Sequence, residues 1–208
     1  MPQPDRNKLK KIINDHFVYE VIELCNCKAL WKMPRAPDYE QLFINMNIEH
    51  TILHARGLYE FYYLIDTNPN NYNETSNPRA NMYVPPFTKP AYTQDITADF
   101  LKRASAQIQH LGIDRTSTPS EKFNVSQTVS IVNDLLRITK DFLDKLEAVD
   151  SGFFFDTPLK QLKKDLAQYI QFDPRQPTTT QVSVFTSGTS SIAVTTSVLT
   201  STTFYAPP

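Results

Sequence analysis

Ile12, Ile13, Phe17, Val21, Leu24 and Leu30 recur at helical spacing and predict a first helix from about Asp5 to Trp31. The stretch "MPRAP" that follows breaks it. A second helix is expected from about Asp38 to Asp66. At about 100° per residue, Leu42, Phe43, Met46, Leu53, Phe61 and Leu64 share one broad face. Ile44, Ile48, Ile52, Tyr59 and Tyr62 cover the opposite side. A helix apolar on most of its circumference is usually central, so this one is expected at the core, with Leu53 and Phe61 inward. Only a narrow stripe is polar: Asn45, Glu49, Arg56 and Glu60.

A third helix is expected to begin after Thr93 and to stop near Gly112. The fourth covers roughly Val125 to Val149, with Val129, Val132, Leu136, Phe142, Leu143 and Leu146 inward. A last helix has Asp156 or Thr157 as its cap and Pro158 at its first position, and ends before Asp173. From Thr67 to Thr93 the chain is rich in Asn and Pro, which excludes regular helix. A loop of that length is either functional or partly disordered.

After Arg175 no charged residue remains, and Ser and Thr dominate. "VSVF" and "IAVTTSV" flank "SGTS", a pattern open to a β-hairpin or to a low-complexity tail. The expected fold is therefore mainly α. A four- to five-helix bundle covers residues 1–173, and a Ser/Thr-rich extension, disordered or a β-hairpin, covers 174–208.

Composition narrows the chemistry. Four glycines and the absence of any Gly-rich phosphate motif argue against a nucleotide-binding loop. Lys plus Arg number 21 and Asp plus Glu 22, which leaves no footprint for extended nucleic-acid binding but allows a site for one phosphate. Cys25 and Cys27 have the spacing of neither a redox pair nor a zinc knuckle and read as reduced helix residues. The charged start "DRNKLKKIINDH" has no secretory apolar region, and no run approaches a membrane span. A cytoplasmic protein without membrane contact is expected.

Three sets of side chains can carry chemistry. His50 and His54 lie one turn apart, a spacing that can grip a metal. No third ligand is evident from the sequence, so they are expected to be hydrogen-bonded core histidines, with no metal and no cofactor. Arg56 and Glu60 form an i, i+4 pair, and Glu49 lies on the same stripe. On the third helix, Asp95, Asp99, Arg103 and His110 fall on one face, opposite Phe100, Leu101, Ile108 and Leu111, with Arg115 just beyond. If the two polar stripes meet, Arg56, His110 and Arg115 share one cleft. Glu49, Glu60, Asp95 and Asp99 then balance them, leaving cationic capacity for one phosphate or carboxylate.

"HARGLYEF" (His54 to Phe61), "DITADF" (Asp95 to Phe100) and "HLGIDR" (His110 to Arg115) resemble a group of uncharacterised bacterial helical proteins. The likeness covers roughly Asp38 to Arg115. More broadly, Arg103 and His110, with six residues between them, resemble the R-x4-6-H hallmark of the HEPN superfamily of helical bundles. Many of those are toxins and defence ribonucleases of prokaryotes. Ala104 departs from the polar residue that the superfamily usually carries after its Arg.

The resemblance implies a bundle of a stress, toxin–antitoxin or defence system that acts as a metal-independent ribonuclease and pairs two sites across a homodimer. Arg103, His110 and Arg56 would be catalytic, and Arg115, Glu60, Glu49, Asp95 and Asp99 would bind. The RNA 2′-hydroxyl would be the nucleophile, with the histidine moving the proton and the arginines stabilising phosphorane charge. The alternative expectation is a non-catalytic bundle that binds a protein partner.

Overall fold

The computed structural model of the 208-residue chain describes residues 5–33, 37–64, 78–108, 122–155 and 157–171. Among these, helix accounts for 77% and no strand occurs, so the fold is a mainly α bundle. The Ser/Thr-rich extension, His110, Gly112 and Arg115 lie outside the described residues.

The first rod is α1 (Arg6–Ile12), a π-helical segment (Ile13–Phe17) and α2 (Val18–Leu30). Asp5 caps it by accepting the Asn7 N–H at 2.9 Å. The Asn14 side chain donates to the Lys10 carbonyl at 2.8 Å, within the change of helical pitch. The long helix α3 (Glu40–Tyr63) runs back along α2. Their register is read from cross-helix pairs: Asn47 with Cys27, His50 with Glu23, His54 with Glu20, and Phe61 with Phe17. The two are therefore antiparallel.

α3 is the central helix, but its faces differ from the expected ones. Phe61 is buried, whereas Leu42, Met46, Leu53 and Leu64 are 57, 60, 49 and 41% exposed. Spaced by three or four residues, they lie on one line with Glu49, Arg56 and Glu60. The outward stripe therefore alternates leucine or methionine with charge. The inward faces are Asn47, Thr51, His54 and Leu58 towards α2, and Ile52, Ala55, Tyr59 and Tyr62 towards the rest of the bundle.

α4 (Phe100–Ile108 in the described residues) starts later than expected. Thr93 accepts the Ile96 N–H at 3.1 Å, a turn that competes with helix, and Asp99 opens the helix by accepting the Arg103 N–H. Asp95 and Asp99 thus precede α4 instead of lying on its face. Tyr59 stacks on Phe100, and Ile48 and Glu49 share a cleft with Ala106 and Gln107, so α4 is antiparallel to α3.

α5 (Val125–Val149) opens with a capping box in which Asn124 and Gln127 exchange side-chain-to-backbone hydrogen bonds. α6 (Pro158–Gln171) folds back on it, with Lys163 bridging Asp144 and Glu147. Of the two expected caps of α6, Asp156 lies outside the described residues, and Thr157 takes the Lys160 N–H on its carbonyl but not on its side chain. Its hydroxyl donates to the Phe153 carbonyl, and Asn14 of the π segment accepts the Leu159 N–H instead. At the other end of α6 the buried Lys28 donates to the Tyr169 carbonyl at 2.6 Å, where the helix dipole favours a cation.

The core is aromatic. Phe142 packs against Phe17, Phe61, Tyr62, Tyr83 and Phe87, with ring centroids 5.2–6.3 Å apart. Each such pair contributes about 0.5–1.5 kcal/mol beyond its buried area. Tyr83 and Phe87 belong to the Asn/Pro-rich stretch. Its described part, from Pro78 on, is core-packed chain: Tyr83 donates to the Leu9 carbonyl, and Val84 is buried.

Candidate functional site

Glu20 and Glu23 stand one turn apart on α2, and His50 and His54 one turn apart on α3. The antiparallel register brings the four together. His54 Nδ1 is 2.7 Å from Glu20 Oε2, and His50 Nε2 is 3.5 Å from Glu23 Oε2. The two imidazole rings are 4.6 Å apart. One ligand atom from each of Glu23, His50 and His54 lies within 4.8 Å of the other two. His54 is buried, as expected of a core histidine, but the His50 side chain is 45% exposed and is not a core residue. Partial burial, then the neighbouring His54, hold the His50 pKa below its ordinary value against the pull of Glu23 and Glu20. A neutral imidazole is the form that ligates metals.

Beside this cluster a cleft of about 280 Å³ opens between the first rod, α3 and the loop residues Pro78 and Arg79. His16, Glu20, Glu60 and Arg79 supply its polar groups, and Ile12, Phe17, Leu58, Phe61 and Tyr83 its walls. Glu60 accepts from Arg56 at 3.1 Å and lies 3.9 Å from Arg79. Burial lowers the Arg79 pKa, and Glu60 opposes the shift. Glu60 therefore carries two guanidinium groups.

A second, smaller cleft of about 140 Å³ lies between α3 and α4, lined by Asn45, Ile48, Glu49, Ala106, Gln107, Lys122 and Phe123. Arg103 is half-buried with its guanidinium 4.2 Å from the Phe123 ring centre. Asp99 is exposed, and its carboxyl is held below the usual range first by the Thr97 hydroxyl, with Arg103 a smaller influence. Asp95 is buried.

The expected site residues are thus distributed. Glu49 faces the α3–α4 cleft, Glu60 faces the larger cleft beside His16 and Arg79, and Arg56 lies on the outward stripe between them. His110 and Arg115 fall outside the described residues. Cys25 and Cys27 are buried and free, and burial raises both thiols, Cys27 to about 11. They are inert at neutral pH.

Sequence reading missed Glu20, Glu23, His16 and Arg79. The acidic pair carries a signal: Glu20 and Glu23 are i, i+3 on a helix directly followed by one with histidines at i, i+4. In an antiparallel pair those sets can meet. Nothing comparable marks Arg79.

No protein-family model, no curated protein and no solved structure matches the chain.

Proposed function

We propose that the chain is a HEPN-like bundle of a prokaryotic stress or defence system, acting as a metal-independent ribonuclease in the cytoplasm. The observation that carries this reading is the antiparallel packing of α4 on α3. Tyr59 meets Phe100, and Glu49 shares a cleft with Gln107, so Arg56 and Arg103 lie within about one turn of each other along the pair. A guanidinium from each of two packed helices suits a single bridging phosphate once both turn to one groove, from resting contacts with Glu60 for Arg56 and with the Phe123 ring for Arg103. In this reading His110 moves the proton of the 2′-hydroxyl, Arg103 and Arg56 stabilise the pentavalent phosphorus, and Arg115 holds the RNA. Glu49, Glu60, Asp95 and Asp99 balance the charge between turnovers.

The test is cleavage of single-stranded RNA by the purified chain in excess chelator. Products ending in a 2′,3′-cyclic phosphate, lost in His110→Ala and in Arg103→Ala with helical circular dichroism unchanged, support the proposal. No cleavage, or equal cleavage by both variants, removes it.

A second reading, a bundle that binds protein and cleaves nothing, is favoured by the outward stripe. Tyr39, Leu42, Met46 and Leu53 are all at least 49% exposed along one helix face. A second copy of the chain is the occupant tested most directly. A mass of two chains that falls to one in Leu42→Asp supports a dimer through this face. One chain at every concentration removes it.

A further inference from the structure

We propose that Glu23, His50 and His54 form a binding site for a divalent transition metal of the zinc class, oriented by Glu20. The site is on the α2–α3 face and does not depend on the ribonuclease reading, which concerns α3 and α4.

Imidazole and carboxylate donors suit zinc and its neighbours, and magnesium is served poorly by nitrogen ligands. Zinc bonds of about 2.0–2.2 Å put two tetrahedral donors roughly 3.3–3.5 Å apart. His50 Nε2 and Glu23 Oε2 already stand 3.5 Å apart. All three donors fall within 4.8 Å of one another, so small side-chain rotations close the set. Three protein ligands leave a fourth position for water or a small anion. His50 is the exposed ligand and gives the ion an entry path, while His54 anchors the inner side.

Glu20 supplies the outer shell. Its carboxylate accepts the Nδ1–H of His54 at 2.7 Å, which fixes the tautomer and leaves Nε2 with the lone pair. Carboxylate-backed histidines are the usual arrangement in metal centres. Charge points the same way. Among the described residues, the basic groups within ion-pair distance of Glu20 and Glu23 are the two imidazoles, with no lysine or arginine among them. Two carboxylates without a permanent cation beside them offer a divalent ion its balance. An ion here would also tie α2 to α3 through side chains from both.

The experiment titrates zinc chloride into the chelator-stripped full chain by calorimetry, with magnesium chloride as control. One zinc per chain, no heat with magnesium, and a melting temperature that rises with zinc are expected. His50→Ala removes an exposed ligand and should keep the metal-free melting point while weakening zinc binding at least tenfold. Glu20→Gln should weaken it by about ten- to a hundredfold. His16→Ala, outside the ligand set, should bind as the parent does. Absence of binding at micromolar zinc, equal affinity in parent and His50→Ala, or equal loss in His16→Ala overturns the proposal.

Discussion

Gly57 lies directly against the Glu20 carboxylate: a Cβ at position 57 would stand 3.2 Å from both Cδ and Oε2 of Glu20. Glycine inside a helix costs about 0.5–1 kcal/mol relative to alanine. Here it leaves room for Glu20 to reach His54. Gly57→Ala should gain the propensity term and lose part of it by displacing the carboxylate. The expected result is a stability change below about 0.5 kcal/mol in denaturant melts, the level of a neutral surface change. Zinc affinity should nonetheless fall. A clear stabilisation with zinc binding intact would show that Glu20 is not held in place.

Leu53 and Leu58 test the orientation of α3. Leu58 is 1% exposed and Leu53 is 49% exposed. Leu58→Ala should cost about 2–5 kcal/mol through lost burial and a cavity. Leu53→Ala should cost less than about 0.5 kcal/mol. Comparable losses from urea melts of the two variants would mean that the outward stripe is covered in solution.

That helix also marks the limit of what the sequence carries. The start of α5 and the Pro158 start of α6 are legible because Asn124 with Gln127 and a proline are local signals. The faces of α3 are not, because apolar residues occur all round it, Leu42, Met46, Leu53 and Leu64 on one line and Ile48, Ile52, Leu58, Tyr59 and Tyr62 on the others. Which of them is buried depends on where α2 and α5 lie, and that is not a local property. Likewise Tyr83 and Phe87 sit in a stretch whose prolines and asparagines announce a loop, while their rings fill the space around Phe142. Of the metal cluster, the histidine pair is visible in sequence. The Glu20 and Glu23 partners become visible only once the α2–α3 register is known.

Tyr62 is completely buried, and its hydroxyl donates to Thr139 Oγ1 at 3.0 Å, while Thr139 donates to the Leu135 carbonyl at 2.8 Å. The chain of bonds links α3 to α5 in the middle of the aromatic core. Tyr62→Phe keeps the ring contacts with Phe17, Phe61 and Phe142 and removes one buried hydrogen bond. The expected loss is about 0.5–1.5 kcal/mol. Thr139→Val in the same background should cost little more, because the partner is already gone. Fully additive losses in the double-mutant cycle would show that the two hydroxyls do not interact.

Arg6 reaches across the fold to Asp150, with Nε 2.6 Å from Oδ2 and Nη2 2.7 Å from Oδ1. The same carboxylate accepts the Gly152 N–H at 2.9 Å, so it holds the turn after α5 as well as the first turn of α1. These bonds, the one from Arg6 first, lower the Asp150 pKa below its ordinary value. A carboxylate with a depressed folded pKa binds fewer protons than its unfolded form. Its contribution is complete above the unfolded value of about 3.9 and is lost as pH falls through the folded value. Asp99 and Asp144 titrate in the same direction, so the acid limb of the parent protein is shared. The difference between parent and Asp150→Asn isolates this one group. Thermal melts from neutral pH down to about pH 2 should show the variant less stable at neutrality and the two curves converging in acid. High salt should narrow the gap at pH 7, because Arg6 is at the surface and its charge is screened. A constant difference across the whole pH range would mean that the amide loses shape or hydrogen bonding at position 150 and that the charge of Asp150 contributes nothing.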